Sequence, residues 1–295
     1  MDKLTKAVTK DGFMRIYFAN CRETVEKARE YHNLSPLASA VLGRTLVSGH
    51  LLGAMLKNEE ATVTIQVKGG GPAGIILAVA DAKGGVKGYI ENPMVDLPLN
   101  RVGKLDVGGA VGKNGFLSVI RDLKMKEPYI GQVPLQTGEI GDDMAFYFAQ
   151  SEQVPSVVAL GVLVDKDLSV KASGGFIVQV MPDCDEFSLA RLEKSIQGLK
   201  SVTALLEDGM SSEDIIKYIM EGFEIDILER KEVGYKCDCS RDRTYRAIKS
   251  LGKDEIKAIL EEDGRAEVNC HFCSKSYLFG EEELKSMIEE IENKR

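Results

Sequence analysis

Four cysteines near the end of the chain lie in two close pairs, and they constrain the fold more than any other feature of the sequence. Cys237 and Cys239 form a C-x-C, and Cys270 and Cys273 form a C-x-x-C after thirty intervening residues. Two close thiol pairs joined by a spacer are typical of a tetrahedral all-cysteine zinc site, with zinc to sulfur distances of about 2.3 Å. The spacing therefore predicts one Zn2+ ion per chain, bound by these four thiolates.

The segment that carries the four cysteines, 235–295, is small for an independent unit. Domains of about sixty residues bury little surface and are commonly stabilised by a metal. The stretches "SRDRTYRAIKSLG" and "KDEIKAILEEDG" predict two helices, and "AEVNCHFCSKSYLF" predicts a hairpin with Cys270 and Cys273 at its turn. We therefore predict a C-terminal zinc-binding domain over 235–295.

The composition indicates a soluble globular protein. At 295 residues, with 44% hydrophobic and 28% charged residues, the chain has the length of about two domains and enough apolar side chains for a core. A formal net charge of -8 opposes binding to phosphate backbones. The N-terminal stretch lacks the apolar segment of a signal peptide, and apolar runs such as "VVALGVLV" are too short to span a membrane. We expect a cytoplasmic protein, where paired thiols bind metals or react with oxidants more often than they form structural disulfides.

The first 181 residues show the pattern of an α+β domain with a mostly antiparallel sheet and packed helices. A helix is predicted at 35–57, with Ser35 as N-cap and Pro36 in its first turn, and a second from about Asp142 to Gln150. The connections between strands are too short for parallel crossovers. The predicted strands are "FMRIYFAN", "TVTIQVK", "GIILAVAD", "VKGYIEN", 116–123, 130–136 and the hairpin "VALGVLVDKDLSVKASGGFIVQVM".

Two glycine clusters in this domain resemble phosphate-binding loops only superficially. Neither "KGGGPAG" nor "VGGAVGKNG" is followed by the G-K-[ST] of a P-loop, and neither begins a helix after a parallel strand. Glycine also supplies the positive φ that tight turns require. We interpret both clusters as turns and predict no nucleotide site.

Residues 182–234 form a predicted helical linker. Strand signals stop at Pro182, and the segment carries 13 acidic against 6 basic residues. Short amphipathic helices are predicted, one of them beginning with Ser211 and Asp214 at capping-box spacing. Such helices are marginal in isolation. The linker is therefore predicted to be metastable and to fold only by docking on another surface.

The remaining cysteines and the histidines show no pattern of a catalytic site. Cys21 and Cys184 stand alone in sequence and are expected to pack as small apolar residues. His271 lies within the C-x-x-C, but four thiols already complete a tetrahedral site, so it is expected in an exposed turn. His32 and His50 have no recognisable partner. The sequence therefore indicates a protein that is not an enzyme.

A zinc site closed by four thiolates has no open position for a substrate, so the metal is either structural or part of a switch. A structural role is the commoner one for zinc modules. Two features favour a switch here. Each thiol has a close neighbour with which an oxidised sulfur can form a disulfide. Zinc also contributes about 10 kcal/mol or more to the folding of small modules, so its loss would unfold the domain.

Several segments, in order, resemble the redox-regulated 33 kDa chaperonin (HslO) family of bacterial heat-shock proteins. They are "GRTL", "KGGGPAG", "NPMVDLPLN", "GKLDVGGAVGKNGFLSVIRDL", "KEPYIGQVPLQTGEI", "SEQVPSVVALGVLV", "GGFIVQVMP" and "CHFCSKSYLF". Each segment alone is weak, but together with the cysteine spacing they cover nearly the whole chain.

The resemblance implies a holdase chaperone. Cys237, Cys239, Cys270 and Cys273 occupy the zinc-ligand positions of the family in its reduced, inactive state. Oxidation would pair Cys237 with Cys239 and Cys270 with Cys273, release the zinc and destabilise the linker, exposing apolar surface that holds unfolding client proteins. Members of the family dimerise when active, pass clients to ATP-dependent foldases and bind no ATP themselves.

Two alternatives are compatible with the same cysteines. One is a binding protein with a purely structural zinc, for example one that binds nucleic acid, because "SRDRTYRAIKSLGKDEIK" has six basic and three acidic residues. The whole module, however, has 12 basic and 14 acidic residues, a net charge of -2. The other is a thiol oxidoreductase, although the predicted C-x-x-C lies on a hairpin turn and not at a strand-to-helix junction of the thioredoxin type.

Overall fold

The computed structural model describes residues 1–292, which divide into two compact units, Met1–Lys236 and the chain from Cys237 onward. The fold is α+β with antiparallel sheets, as the sequence predicts. The strands are β1 (Lys3–Thr9), β2 (Met14–Asn20), β3 (Thr62–Lys68), β4 (Ile75–Asp81), β5 (Gly85–Ile90), β6 (Phe116–Asp122), β7 (Tyr129–Pro134), β8 (Ser156–Val164), β9 (Val170–Val180), β10 (Ile225–Glu232), β11 (Gly234–Tyr235), β12 (Ala266–Asn269) and β13 (Ser276–Phe279).

Ten α-helices are present among the described residues, and a single π-turn, Phe148–Glu152, continues the fourth. None of them is long and apolar enough to cross a bilayer. They are α1 (Arg22–His32), α2 (Pro36–Gly53), α3 (Val107–Val111), α4 (Ile140–Tyr147), α5 (Glu186–Ile196), α6 (Val202–Glu207), α7 (Ser212–Ile219), α8 (Arg241–Lys249), α9 (Lys253–Glu262) and α10 (Glu281–Glu292).

The first unit contains two sheets with a helix between them. The first sheet has the order β10-β1-β2-β9-β8 and the second β11-β5-β4-β3-β6-β7, with only the short β11–β5 pair parallel. Helix α2 contacts strands of both sheets, and nearly all of its side chains are buried. Its N-terminus is as predicted, because the Ser35 hydroxyl accepts a hydrogen bond from the Ala38 amide and Pro36 lies in the first turn. The principal core therefore surrounds α2.

A second apolar core lies on the other face of the first sheet. Side chains of β1, β2 and β9, among them Ile16, Phe18 and Val178, pack there against α5, α6 and α7. Helix α7 contributes Ile215, Ile216 and Ile219, all fully buried. We call this the platform core. The helices predicted at 182–234 thus form, and they dock on an apolar sheet face within the first unit.

Some expectations for the same part of the chain are wrong or incomplete. Strand signals were expected to stop at Pro182, but Ile225–Glu232 forms β10 and pairs antiparallel with β1 along its length. The charged residues of β10 obscure its alternation, and its partner is more than two hundred residues away, so only tertiary pairing defines it. Two strands, β1 and β11, and three helices, α1, α3 and α10, were not predicted.

The glycine clusters are structural, for a reason that goes beyond turn conformation. A Cβ at Gly69 would lie 2.3 Å from the carbonyl oxygen of Val111, and one at Gly71 would lie 2.4 Å from that of Ala110. The Gly71 amide also donates to the Val111 carbonyl. The first cluster is a turn, as predicted, but residues 107–111 of the second form helix α3 instead of a turn. The two segments pack backbone against backbone, and a side chain at Gly69 or Gly71 would separate them.

A buried histidine makes the stability of the first unit depend on pH. His50 of α2 is fully buried, and its Nε2 lies 3.3 Å from the Thr24 hydroxyl. Burial, with a smaller contribution from the charge of Lys236, lowers the pKa of His50 to about 3, whereas an exposed histidine titrates near 6.5. The unfolded chain therefore binds a proton between these values that the folded chain does not. The contribution of His50 to the free energy of unfolding is therefore fully present above about pH 6.5, and it is lost progressively as the pH falls toward 3.

We expect His50→Gln to remove this part of the acid sensitivity. Between pH 7 and 4.5, the free energy of unfolding should fall by about 2 to 3 kcal/mol more in the wild-type protein than in the variant, because each pKa unit is worth about 1.4 kcal/mol. Urea unfolding at both pH values measures the difference. His271→Gln, at an exposed position, is the control and should behave as wild type. An identical pH response of the wild-type and His50→Gln proteins would contradict the assignment.

Candidate metal centre

The first cysteine pair lies in the extended segment before α8. Ser240 caps this helix, since its hydroxyl accepts a hydrogen bond from the Arg243 amide. Cys237 and Cys239 therefore precede a helix N-terminus, where unsatisfied amide groups favour negative charge. Arg243 also pairs with the Asp238 carboxylate between the two cysteines.

The second cysteine pair lies at the turn of the hairpin formed by β12 and β13, as predicted. The Cys270 amide donates to the Lys275 carbonyl, and the Ser274 amide donates back to the Cys270 carbonyl. Ser274 has a φ of 56°, in the left-handed region. This tight turn directs Cys270 and Cys273 toward the same side.

The four sulfur atoms come together in a compact cluster. The Sγ atoms of Cys237, Cys239, Cys270 and Cys273 all lie within 4.8 Å of one another. Two separations between the motifs are 3.6 Å, from Cys237 to Cys270, and 3.4 Å, from Cys239 to Cys273. Four sulfurs bound at about 2.3 Å in a tetrahedron are about 3.8 Å apart. The donor atoms and their spacing thus fit a zinc ion.

Hydrogen bonds make the Cys239 thiol more acidic than an isolated cysteine. Burial opposes ionisation of Cys239, but hydrogen bonds from the Tyr277 hydroxyl and the neighbouring thiols outweigh it and lower its pKa to about 7. Burial raises the pKa of Cys237 and of Cys273. Without a cation the cluster therefore favours a thiolate at Cys239 beside protonated thiols at Cys237 and Cys273. A divalent cation would compensate the repulsion among four thiolates.

Tyr277 is a residue of the site that was not predicted from the sequence. Its hydroxyl donates to Cys239 Sγ at 3.2 Å, and this bond raises the pKa of Tyr277 to about 12. The tyrosine side chain is otherwise buried in the small core of the second unit. Its position four residues after Cys273, on the strand that leaves the turn, is the only signal in the sequence.

The core beneath the cluster is small. Eight buried side chains form it, and Cys239 packs against them. They are Ile248, Ile256, Ala266, Tyr277, Phe279, Leu284, Met287 and Ile288. So few buried residues give a unit of this size little stability of its own. Binding of a metal by the four sulfurs would therefore supply a large share of its folding free energy.

The chain that leads to Cys237 is held firmly in the first unit. Tyr235 is buried, and its hydroxyl donates to the Gly88 carbonyl at 2.9 Å. His32 Nε2 lies 3.1 Å from the same carbonyl, so this histidine has a partner that the sequence did not reveal. The Lys236 amide then donates to the Val86 carbonyl. The first unit is thus ordered up to the residue before the first cysteine.

The other cysteines and His271 lie outside the cluster. Cys21 is buried in the principal core, where burial raises its pKa. Cys184 is half-buried against the platform core, with its thiol 3.5 Å from the Asp185 carbonyl oxygen. Both therefore pack as small apolar residues, as predicted. His271 is exposed beside the hairpin turn.

Comparison with known proteins assigns this arrangement to a family. The family model described as "Hsp33 protein" matches residues 2–280. The chain belongs to the Hsp33, or 33 kDa chaperonin, family. The 33 kDa chaperonin of Clostridium tetani is 50% identical over 292 residues, covering 99% of both chains, and that of Alkaliphilus metalliredigens is 47% identical over 289 residues, covering 98% of this chain and 99% of the relative.

A solved structure shows the same fold. The 33 kDa chaperonin of Thermotoga maritima, also titled a heat shock protein 33 homolog, superposes with a TM-score of 0.92 at 39% identity, covering 99% of both chains. The Hsp33 family is named for a chaperone activity and not for an enzymatic one. The resemblance found in the sequence is confirmed.

Proposed function

We propose that this member of the Hsp33 family is a holdase, switched on when oxidants convert the four clustered thiols into two disulfides. The observation that carries the proposal is the sulfur cluster itself, with four Sγ atoms within 4.8 Å over a core of eight residues. Cys237, Cys239, Cys270 and Cys273 would bind Zn2+ in the reduced protein. Bound zinc would hold the sulfurs as thiolates and stabilise the second unit.

The proposed switch is a thiol oxidation. Peroxide oxidises one sulfur of a pair to a sulfenic acid, and the neighbouring thiolate attacks that sulfur, forming a disulfide and releasing the oxygen as water. Each pair thus consumes one peroxide and two protons, and yields one disulfide and two waters. We propose the pairs Cys237 with Cys239 and Cys270 with Cys273. Disulfide sulfurs are poor zinc ligands, so the metal would be released.

The proposed consequence of oxidation is exposure of the apolar sheet face beneath the linker helices. Helices α5, α6 and α7 cover the platform core, and they are short and acidic. Because short helices depend on packing for their stability, loss of the second unit's fold would favour their undocking. Undocking would expose Phe18, Phe176 and their neighbours to unfolding client proteins. Thus 1–181 would serve as the chaperone core, 182–234 as the metastable linker and 235–295 as the redox switch.

The central test oxidises the full-length, zinc-loaded protein with peroxide at elevated temperature. We expect release of one zinc per chain, detected with a metal-binding dye, together with a gain in suppression of aggregation of a heat-denatured test enzyme. Cys184→Ser, which alters a cysteine outside the cluster, should behave as wild type. Retention of the zinc, or its release without any gain in suppression, would contradict the switch and favour a structural metal.

The proposed pairing can be tested by one digest. Trypsin cleaves after Lys236 and Arg241, and after Arg265 and Lys275, so the two motifs lie on separate peptides, CDCSR and AEVNCHFCSK. Disulfides within each motif leave two separate peptides, each lighter by two hydrogens. Disulfides between motifs join them into one species. The test is needed because sulfurs of different motifs also lie close together, at 3.6 Å for Cys237 and Cys270 and 3.4 Å for Cys239 and Cys273.

The proposed partners follow from this activity. Unfolding proteins would be the clients, the oxidised chain would act as a homodimer, and ATP-dependent foldases would receive the clients. We propose a cytoplasmic location, where thiols are kept reduced until oxidative stress. Neither nucleic acid nor membrane is a proposed partner.

A further inference from the structure

The two edges of the first sheet differ in a way that suggests a binding function for one of them. The outer strand β10 carries charged residues along its length, Asp226, Glu229, Arg230, Lys231 and Glu232. Charges on an edge strand discourage pairing with other chains. The opposite edge strand, β8, has the sequence SVVALGVLV and no charge over nine residues. Of the two edge strands, only β10 thus carries charged side chains that discourage pairing with another chain.

On the side away from β9, the backbone of β8 carries amide and carbonyl groups that no described strand pairs with, although α4 packs against β8 and a Cβ at Gly141 would lie 3.8 Å from the Val158 carbonyl oxygen. The Val180 amide donates to the Pro155 carbonyl, which places this position in a hydrogen-bonded pair of the β8–β9 ladder. Because such pairs alternate in antiparallel sheets, Val157, Ala159 and Gly161 also face β9. The amides and carbonyls facing away belong to Ser156, Val158, Leu160 and Val162. Within residues 1–292 no strand pairs with this side.

Two clefts follow the free side of β8. One of about 600 Å³ is lined by the consecutive residues 157–160, and another of about 430 Å³ by 160–165. Consecutive residues of a strand point to opposite faces, so a cleft lined by all of them runs along the edge of the strand. Both clefts are bounded by Arg44, Leu105 and Ser201. The free edge thus lies at the bottom of one trench.

The depth of this trench determines which kind of polypeptide can reach the edge of β8. Every residue of β8 is half-buried, and none is exposed. The edge strand of a second folded copy would be recessed in the same way, so two such edges could not reach each other. A single extended chain can enter, and the edge of β8 is about 30 Å long at 3.4 Å per residue. The apolar side chains of β8 favour uncharged guest side chains where the guest packs against the strand, whereas charged residues such as Arg44 and Lys104 line the walls of both clefts.

We propose that the free edge of β8 binds an extended, uncharged polypeptide segment by strand addition, as a sixth strand of the first sheet. This rests on the proposed holdase function, for which it supplies a client-binding site that adjoins the platform core along β8. Backbone hydrogen bonds would provide binding that is largely independent of sequence. Such binding suits a protein that holds many unfolding chains.

The experiment uses the full-length protein, reduced and oxidised, and a fluorescent peptide of alternating valine and threonine with an asparagine at each end and blocked termini, so that the probe is uncharged. Hydrogen exchange followed by NMR should show at least tenfold slower exchange on peptide binding at Ser156, Val158, Leu160 and Val162, and little change at the intervening residues. The matched probe is the same peptide N-methylated at two adjacent central residues, which removes a donor on each of its edges. It should bind at least tenfold more weakly in fluorescence anisotropy.

Substitutions in the trench wall provide a second readout. Leu99 is 61% exposed and lines the smaller cleft, so Leu99→Asp should weaken binding of the uncharged peptide several-fold without unfolding the protein. Met125 is 73% exposed and does not line either cleft, so Met125→Asp should leave binding unchanged. Equal binding of the N-methylated peptide, protection confined to other strands, or association of β8 with a second copy in place of the peptide would overturn the proposal.

The two proposals fail separately. If oxidation releases zinc and activates suppression of aggregation but β8 gains no alternating protection in either state, the strand-addition site is wrong and the holdase function stands. If the peptide protects β8 with the expected alternation but oxidation activates nothing, the redox-switched holdase is wrong and the strand-addition site stands.

Discussion

Removal of the metal from the reduced protein is expected to unfold the second unit while the first unit stays folded. The reason is that zinc binding contributes more to the folding free energy of the second unit than its small apolar core does. Zinc bound by four thiolates contributes about 10 kcal/mol or more to folding, whereas eight buried side chains provide the apolar core. We expect hydrogen exchange of β12, β13 and α8 to approach that of an unfolded chain after chelation. Strands β2 and β9 should keep their protection.

Single cysteine substitutions sharpen this test. Cys239→Ser removes one of the four sulfurs, and it should lower zinc affinity by orders of magnitude and reproduce the loss of protection without a chelator. Cys184→Ser is the matched control, because Cys184 is also half-buried but lies outside the cluster. A second unit that keeps its exchange protection after metal removal would show that the apolar core alone suffices, and the proposed switch would lose its physical basis.

Undocking of the linker helices by mutation is expected to activate client holding without oxidation. Ile216 of α7 is fully buried in the platform core, and a carboxylate there would be buried without a partner, at a cost of several kcal/mol. We expect Ile216→Asp to make α5–α7 exchange rapidly and to suppress aggregation in the reduced protein. Its zinc content should be unchanged, because the substitution does not touch the cluster.

The neighbouring Tyr218→Asp is the control for charge. Tyr218 is exposed on the same helix, so the substitution adds an identical charge without burying it and should leave the protein inactive when reduced. Ile216→Ala provides a graded version, with a loss of about 2 to 5 kcal/mol from the platform core and intermediate activation. If α5–α7 exchange rapidly in Ile216→Asp and the reduced protein still fails to hold clients, the exposed platform is not the client-holding surface.

Local patterns in the sequence determined the cysteine cluster and the main helix of the principal core. The spacing of Cys237, Cys239, Cys270 and Cys273 predicted one cluster, and the structure brings their sulfurs within 4.8 Å of one another. Ser35 and Pro36 predicted the start of α2, and its apolar residues predicted a core helix. These features could be predicted because caps, helical periodicity and closely spaced thiols act over a few residues.

Only the tertiary structure decided which elements meet across long distances in sequence. β10 is a strand because β1 pairs with it, although its own charges obscure the alternation. Tyr277 reaches Cys239 because the hairpin folds back toward α8. Likewise, β8 is an edge strand because, among residues 1–292, no strand pairs with its other side. Strand order and burial arise from pairing between segments that are distant in sequence. The periodicity of one segment does not show which other segment pairs with it.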